Sequence, residues 1–256
     1  MNIRILGAHN CETKDVKCAS ILVDDVMAID AGGLTSSLSI AAQTDLKVIL
    51  ITHYHYDHIK DIPLLAMNLS LNGLSVGMYA PSTVLEELTT HFFNGNVYPK
   101  FLEQPPGKPT LRYTALMPMK EHVISGYHVL PIDVDHSVPA VGYQITSHDG
   151  KKLFYTGDTG VGIGNCWEYV SPQLLVVEVT MPNRFESSAK KNHHLTPDLL
   201  KQTLVKFRET KGYLPKVLGV HMNPYLETDL RREVANVSQE LNTEIELTQE
   251  GMQYYL

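Results

Sequence analysis

The stretch "KVILITHYHYDHIKDIP", residues 47–63, sets His53, His55, Asp57 and His58 within six positions directly behind an apolar run. The run reads as a strand buried on both faces. Three imidazoles and a carboxylate at its end make poor core and poor helix, so the chain must end a buried strand in polar chemistry. His53 and His55 are two apart, and in extended backbone they point the same way and can bind one ion. Asp57 and His58 then begin a helix and face a second ion. Imidazole with carboxylate suits zinc, and also manganese or iron, better than calcium. A lone histidine is more often a core or surface residue, but four such groups at fixed offsets fit that reading poorly.

The rest of the chain suits this demand. At 256 residues, with 43% hydrophobic and 19% charged residues, it can bury a full α/β core. Net charge is −7 and no block of Lys or Arg appears, which disfavours a general coat for nucleic acid. Three cysteines (Cys11, Cys18, Cys166) form no C-x-x-C pair, so a reducing cytoplasm is the simpler expectation. "MNIRILGAHN" lacks the pattern of a signal peptide, and no apolar run reaches the roughly 20 residues that span a bilayer. The sequence reads as a soluble, cytoplasmic protein without a membrane partner.

Strand and helix patterns alternate. "NIRIL", "ASILVDD" and "VMAIDAGG" read as a meander, "LTSSLSIAAQ" as one short helix, and "IKDIPLLAMNLSLN" as a helix ending at Asn72-Gly73. "VGMYAP" is a strand and "STVLEELTTHFF" a helix with Ser82 as candidate N-cap. "YHVLPIDVDH", "VGYQIT", "KKLFYTGDTG" and "LLVVEVTM" follow as strands, with a hairpin turn at His148–Lys151. "TPDLLKQTLVKFRETK" and "LETDLRREVANVSQEL" are helices around the strand "KVLGVH", and "TEIEL" is a last strand. No linker or composition break divides residues 1–256, so one domain with two sheets and outer helices is expected.

Position is the informative observation. His53 and His55 follow "VILIT", His136 follows "LPIDVD", Asp158 follows "LFYTG", Glu178 ends "LLVVE" and His221 follows "KVLGV". Carboxyl ends of strands converge on one edge of an α/β sheet, where sites are built. A carboxylate such as Asp158 could bridge two cations that otherwise repel at about 3.5–4 Å. His9 and Asn10, in the turn after the first strand, are weaker candidates for the same edge, and His193 reads as a bystander. "GDTGVGIGN" lacks the spacing and the Lys-Ser/Thr of a phosphate loop.

H-x-H-x-D-H after a buried strand resembles the metallo-β-lactamase fold, and "DHSVPAVGY", "YTGDTG" and "GVHMNP" extend the resemblance over nearly the whole chain. It implies an α/β protein, a four-layer αββα sandwich with two divalent metal ions, zinc first. By motif, His53, His55 and His136 would hold one ion, Asp57, His58 and His221 the other, with Asp158 shared. "HSVPAVGY", "GDTG", Glu178 in "VVEVTMPN" and "HHLTP" resemble the phosphodiesterase branch, which includes ribonuclease Z and the class II cyclic-nucleotide phosphodiesterases. There a Glu and a His pair near the leaving group, which implies Glu178 and His194 here. The implied chemistry is attack by a metal-bridging hydroxide, Asp57 orienting it and His194 protonating the leaving oxygen.

Only 21 residues separate His136 from Asp158, and 15 separate Glu178 from His194. Neither gap holds the Gly/Pro-rich arm with which ribonuclease Z grips tRNA. A small nucleotide phosphodiester, cyclic ones included, is therefore the expected substrate. A tRNA 3′-processing endoribonuclease is the alternative, then an ester, thioester or lactone hydrolase, and last a non-catalytic metal module. The branch also implies a homodimer.

Overall fold

The computed structural model describes residues 1–256. In chain order the first part comprises β1 (Asn2–Gly7), β2 (Ser20–Val23), β3 (Met27–Ile29), α1 (Leu34–Ser37), α2 (Ile40–Asp45), β4 (Val48–Leu50), α3 (Tyr56–Ile59), α4 (Ile62–Leu71), β5 (Val76–Ala80), α5 (Ser82–His91) and β6 (Leu111–Ala115). There follow β7 (His122–Ile124), β8 (Tyr127–Asp133), β9 (Val141–Thr146), β10 (Lys152–Tyr155), β11 (Leu174–Glu178), α6 (Glu186–Lys191), α7 (Pro197–Lys211), β12 (Lys216–Val220), α8 (Glu227–Leu241), β13 (Ile245–Leu247) and β14 (Gln253–Tyr255). No helix is long and apolar enough to cross a membrane.

Two compact units share the chain. Met1–Gly7, Glu12–Met117 and Glu250–Tyr255 form the first; Ala8–Cys11, Pro118–Gln249 and Leu256 form the second.

The first unit carries the seven-stranded sheet β14-β1-β2-β3-β4-β5-β6. Its outer strands β14, β1 and β2 are antiparallel, whereas β3 through β6 run parallel. Every residue of β3 and β4 is buried, as the unbroken apolar runs require of central parallel strands. Ile49, Ile51, Ile62, Leu65, Leu69, Met78 and Leu88 lie in one apolar cluster that packs α4 and α5 onto the sheet.

The second unit carries the sheet β13-β12-β11-β10-β9-β8-β7. β10 through β13 are parallel, and the β8–β9–β10 meander is antiparallel. Two reversals return β8 to the direction of β10, so the carboxyl ends of β8, β10, β11 and β12 open on one edge. Trp167, fully buried between Phe154 and Phe207, anchors this unit's core, and its indole N–H donates to the Thr203 carbonyl at 2.9 Å. α7 starts at Thr196, whose hydroxyl caps the Leu199 amide, with Pro197 in the first turn. It ends at Gly212 in the left-handed region (φ 77°).

Most expected elements form, with local corrections. The helix expected over 34–43 breaks at Leu38, whose extended backbone hands over to Ser39, the side-chain N-cap of α2. Ser82 is the first helical residue of α5 rather than its cap; Pro81 precedes it, with no side-chain cap. β6, β7 and β14 were not expected, because each takes its place by pairing along an existing edge, β6 on β5, β7 on β8 and β14 on β1.

The three cysteines are not disulfide-bonded. Burial, then the nearby Asp57 carboxylate, pushes the Cys18 thiol up to about 12, and burial with Asp133 pushes Cys166 up to about 11. Both values leave almost no thiolate at pH 8. Titration with Ellman's reagent at that pH should find only the half-buried Cys11 reacting quickly, and all three thiols reacting once the chain is unfolded in guanidinium.

Candidate metal centre

In the first unit, the ends of parallel neighbours β3 and β4 place Asp30 beside Thr52 and His53. Asp30 is fully buried. Its Oδ1 accepts from the Thr52 amide at 2.9 Å, and its Oδ2 accepts from the Thr52 hydroxyl at 2.9 Å and from His58 Nδ1 at 2.8 Å. The Thr52 hydroxyl also meets His53 Nδ1 at 3.0 Å. The start of α3 is drawn onto the β3 end, where the Ala31 amide donates to the His58 carbonyl at 2.7 Å. That approach explains Gly32, since a Cβ there would lie 2.1 Å from the Asp57 carbonyl oxygen. The rings of His55 and His58 stand 4.7 and 4.2 Å from that of His53, centroid to centroid. Asp57 Oδ2 is 3.7 Å from His58 Nε2. The expected quartet of His53, His55, Asp57 and His58 is thus brought together, and it turns on Asp30, which sequence reasoning missed.

In the second unit, one edge receives His136, three residues past β8, Asp158, three past β10, Glu178 at the end of β11 and His221 directly after β12. Asp158 addresses two imidazoles with separate oxygens: Oδ2 lies 3.8 Å from His136 Nε2 and Oδ1 lies 3.4 Å from His221 Nε2. Those separations are long for hydrogen bonds. They approach the roughly 3.3 Å between neighbouring ligand atoms that tetrahedral bonds of about 2.0–2.1 Å to one ion would give. The His194 ring lies 5.5 Å from that of His221 and 5.4 Å from that of His136.

Glu178 is fully buried and accepts four hydrogen bonds. Oε1 takes the Thr159 amide at 2.8 Å and His194 Nδ1 at 2.7 Å; Oε2 takes the Thr180 hydroxyl at 2.6 Å and the Leu195 amide at 3.1 Å. Thr180 Oγ1 in turn meets His221 Nδ1 at 2.9 Å. One carboxylate therefore orients His194 directly and His221 through a hydroxyl. Thr180 is a second residue that sequence reasoning did not single out; its only signal was a position two past Glu178.

A single rule covers five rings. His53, His58, His136, His194 and His221 each engage a protein oxygen through Nδ1, which leaves Nε2 as each ring's candidate metal-binding atom. Metal-ligating histidines are held in this way by a second layer of acceptors. In each unit the donor set, imidazole nitrogens with a carboxylate (Asp57 in the first, Asp158 in the second), fits zinc, manganese or iron. His9 is buried, with Nε2 3.4 Å from Glu227 Oε2, and its backbone pairs beside Met222. Asn10 is fixed through its amide, which donates to the Met222 carbonyl at 3.1 Å.

A family model described as the beta-lactamase superfamily domain matches residues 21–222. The chain belongs to the β-lactamase superfamily. Ribonuclease Z of Pyrococcus abyssi is 28% identical over 157 residues, 58% of this chain and 48% of that protein. Ribonuclease Z of Pyrococcus horikoshii is 28% identical over 138 residues, 51% of this chain and 41% of that protein. The matched segments therefore span less than half of these curated relatives. Among solved structures, unliganded yeast PDE1 superposes with a TM-score of 0.83 at 16% identity, covering 100% of this chain and 99% of that one. The metallo-β-lactamase fold protein YhfI from Bacillus subtilis gives 0.80 at 14% identity, covering 99% and 98%. These likenesses establish the metallo-β-lactamase fold expected from the motifs.

The buried carboxylate of Asp30 makes a stability test possible without metal. Asp30→Ala leaves the Thr52 amide, the Thr52 hydroxyl and His58 Nδ1 without their acceptor. Thermal or urea unfolding of the metal-free protein should show a loss of about 2–4 kcal/mol, and a variant as stable as the parent would show that the network does not hold this edge together.

Proposed function

We propose that this chain is a metal-dependent phosphodiesterase that hydrolyses a small nucleotide phosphodiester, cyclic ones included. The Glu178–His194 pair carries the reading, because hydrolysis of a thioester, whose thiolate leaves readily, has less need of a separate proton donor than expulsion of a ribose alkoxide. Residues that would hold two divalent ions, zinc first, are His53, His55, Asp57, His58, His136, Asp158 and His221, the last three from the second unit. When bound, such ions lower the pKa of water towards about 7 and offset charge on phosphoryl oxygens.

The chain's own groups supply the remainder. Glu178 fixes the His194 ring by Nδ1 at 2.7 Å, so any proton it delivers leaves from Nε2. Donation at that atom would neutralise the departing alkoxide, a poor leaving group without it. Four donors on Glu178 compensate its burial, so the carboxylate can hold His194 without depending on solvent. Asp57, in the first turn of α3, would orient the attacking water. Short connections of 21 residues between His136 and Asp158 and 15 between Glu178 and His194 favour a small substrate.

A second reading, a ribonuclease that matures tRNA 3′ ends, is favoured by the ribonuclease Z relatives. A cytoplasmic location and a homodimer accompany either reading.

Purified, metal-analysed protein assayed against bis(p-nitrophenyl) phosphate, cyclic mononucleotides, a tRNA precursor and a thioester separates these activities. Turnover of cyclic nucleotides is expected, whereas cleavage confined to the tRNA precursor would establish the second reading and activity on the thioester alone would sink both. His194→Ala should keep its metal and lose about 100-fold or more on alkoxide-leaving substrates, with a much smaller loss on nitrophenolate esters. Equal losses on the two would remove the proton-donor role.

A further inference from the structure

Asp135 and His193 are not among the candidate metal ligands, yet they enclose one of them. Asp135 immediately precedes His136. Its Oδ1 accepts from His193 Nδ1 at 2.8 Å, its Oδ2 accepts from the Gly162 amide at 2.9 Å, and its backbone carbonyl accepts from the Gly160 amide at 2.7 Å. The backbone carbonyl of His193 then receives His136 Nδ1 at 3.4 Å. His193 holds this place in the left-handed region, at φ 55°, a conformation most side chains avoid.

Two glycines let the chain close on Asp135. A Cβ at Gly162 would lie 2.6 Å from Asp135 Cβ, and one at Gly160 would lie 2.8 Å from Asp135 Oδ2 and 3.3 Å from His193 Cα. The glycines of "GDTGVGIGN" therefore serve close packing around this carboxylate.

We propose that the Asp135–His193 pair is a positioning device for His136. It fixes the carbonyl on which His136 Nδ1 rests, and so sets the tautomer and the direction from which Nε2, 3.8 Å from Asp158 Oδ2, meets a metal ion. The inference rests on the metal-centre reading. Asp135 and His193 side chains are 33% and 41% exposed, so as an ion pair they contribute little to stability. Their contribution lies in geometry: the link joins residues 58 positions apart in sequence, around the turn at Gly160–Gly162 that follows Asp158.

Zinc affinity and ring tautomer test this together. Zinc(II) titration against a chromophoric chelator should show one equivalent weakened about 10–100-fold in Asp135→Ala and in His193→Ala. The double variant should be no worse than either single one, since the two act as a unit, and Asp135→Asn, which keeps one of the two acceptors, should lose less affinity than Asp135→Ala. Nitrogen-15 shifts of the His136 ring in metal-free protein should report the Nδ1–H tautomer in the parent and its loss in the alanine variants. Unchanged zinc affinity in folded alanine variants, additive losses, or an Nε2–H tautomer in the parent would overturn the proposal. Should the alanine variants not fold, the parent's tautomer and the asparagine variant decide. A parent that takes up no zinc removes the metal reading, while the tautomer of the metal-free ring still decides whether the pair positions His136.

Discussion

Two buried carboxylates, Asp30 in one unit and Glu178 in the other, organise the imidazoles around them. A carboxylate taken out of water without partners is prohibitively unfavourable, and it becomes tolerable when hydrogen-bond donors replace the lost hydration. Asp30 gathers the Thr52 amide and hydroxyl and His58, and Glu178 gathers two amides, a hydroxyl and His194. Each acid demands donors from several segments, and that demand brings the strand ends and helix starts together. Replacing either acid with an apolar residue of similar size would fill the space and leave the imidazoles unoriented.

The demand can be met because the strands beneath are parallel and apolar throughout. In β3, β4 and β11 every residue is buried, so the first polar side chains fall where the strands stop. Parallel neighbours stop on the same edge, and polar side chains distant in sequence become neighbours there. Antiparallel β9 serves a different purpose, returning the chain so that β8 can deliver His136 to the edge that receives Asp158, Glu178 and His221.

The candidate residues that gather at the strand ends were legible because each falls at a change of pattern, from apolar run to His, Asp or Glu, and because H-x-H-x-D-H is local. The layer behind them was not. Asp30 lies 28 positions before His58 and Thr180 41 before His221, and single Asp or Thr residues at strand ends carry no signal of the distant ring they will meet. Asp135 was overshadowed by the histidine beside it, and His193 by His194. The same limit applies to the sheet edges: β14 exists through its pairing with β1, a contact between opposite ends of the chain that no local pattern encodes. The broken helix at Leu38 is a subtler case, in which the Ser39 cap outweighed the continuity of the apolar pattern.

Backbone strain gathers at the same places. Of eight non-glycine residues in the left-handed region, three are Asp30, His193 and His221, at φ 56°, 55° and 59°. Others fall at turns and a helix end, as Asp24 and Asp25 between β2 and β3 and Asn242 after α8 do, where such angles are ordinary. Histidine gains nothing intrinsic from this conformation, and the cost is of order 1–3 kcal/mol per residue. In each case a side-chain hydrogen bond holds the residue: Asp30 to Thr52 and His58, His193 to Asp135, His221 to Thr180. Glycine would relax the backbone at all three positions and remove the group whose placement the strain achieves. Strain and hydrogen bonding therefore describe one device, in which the chain turns sharply off a buried strand or short helix and a polar partner keeps the turned side chain aimed. A site assembled this way is aimed before any ion or substrate arrives, because the orientation is imposed by the fold's own donors and acceptors.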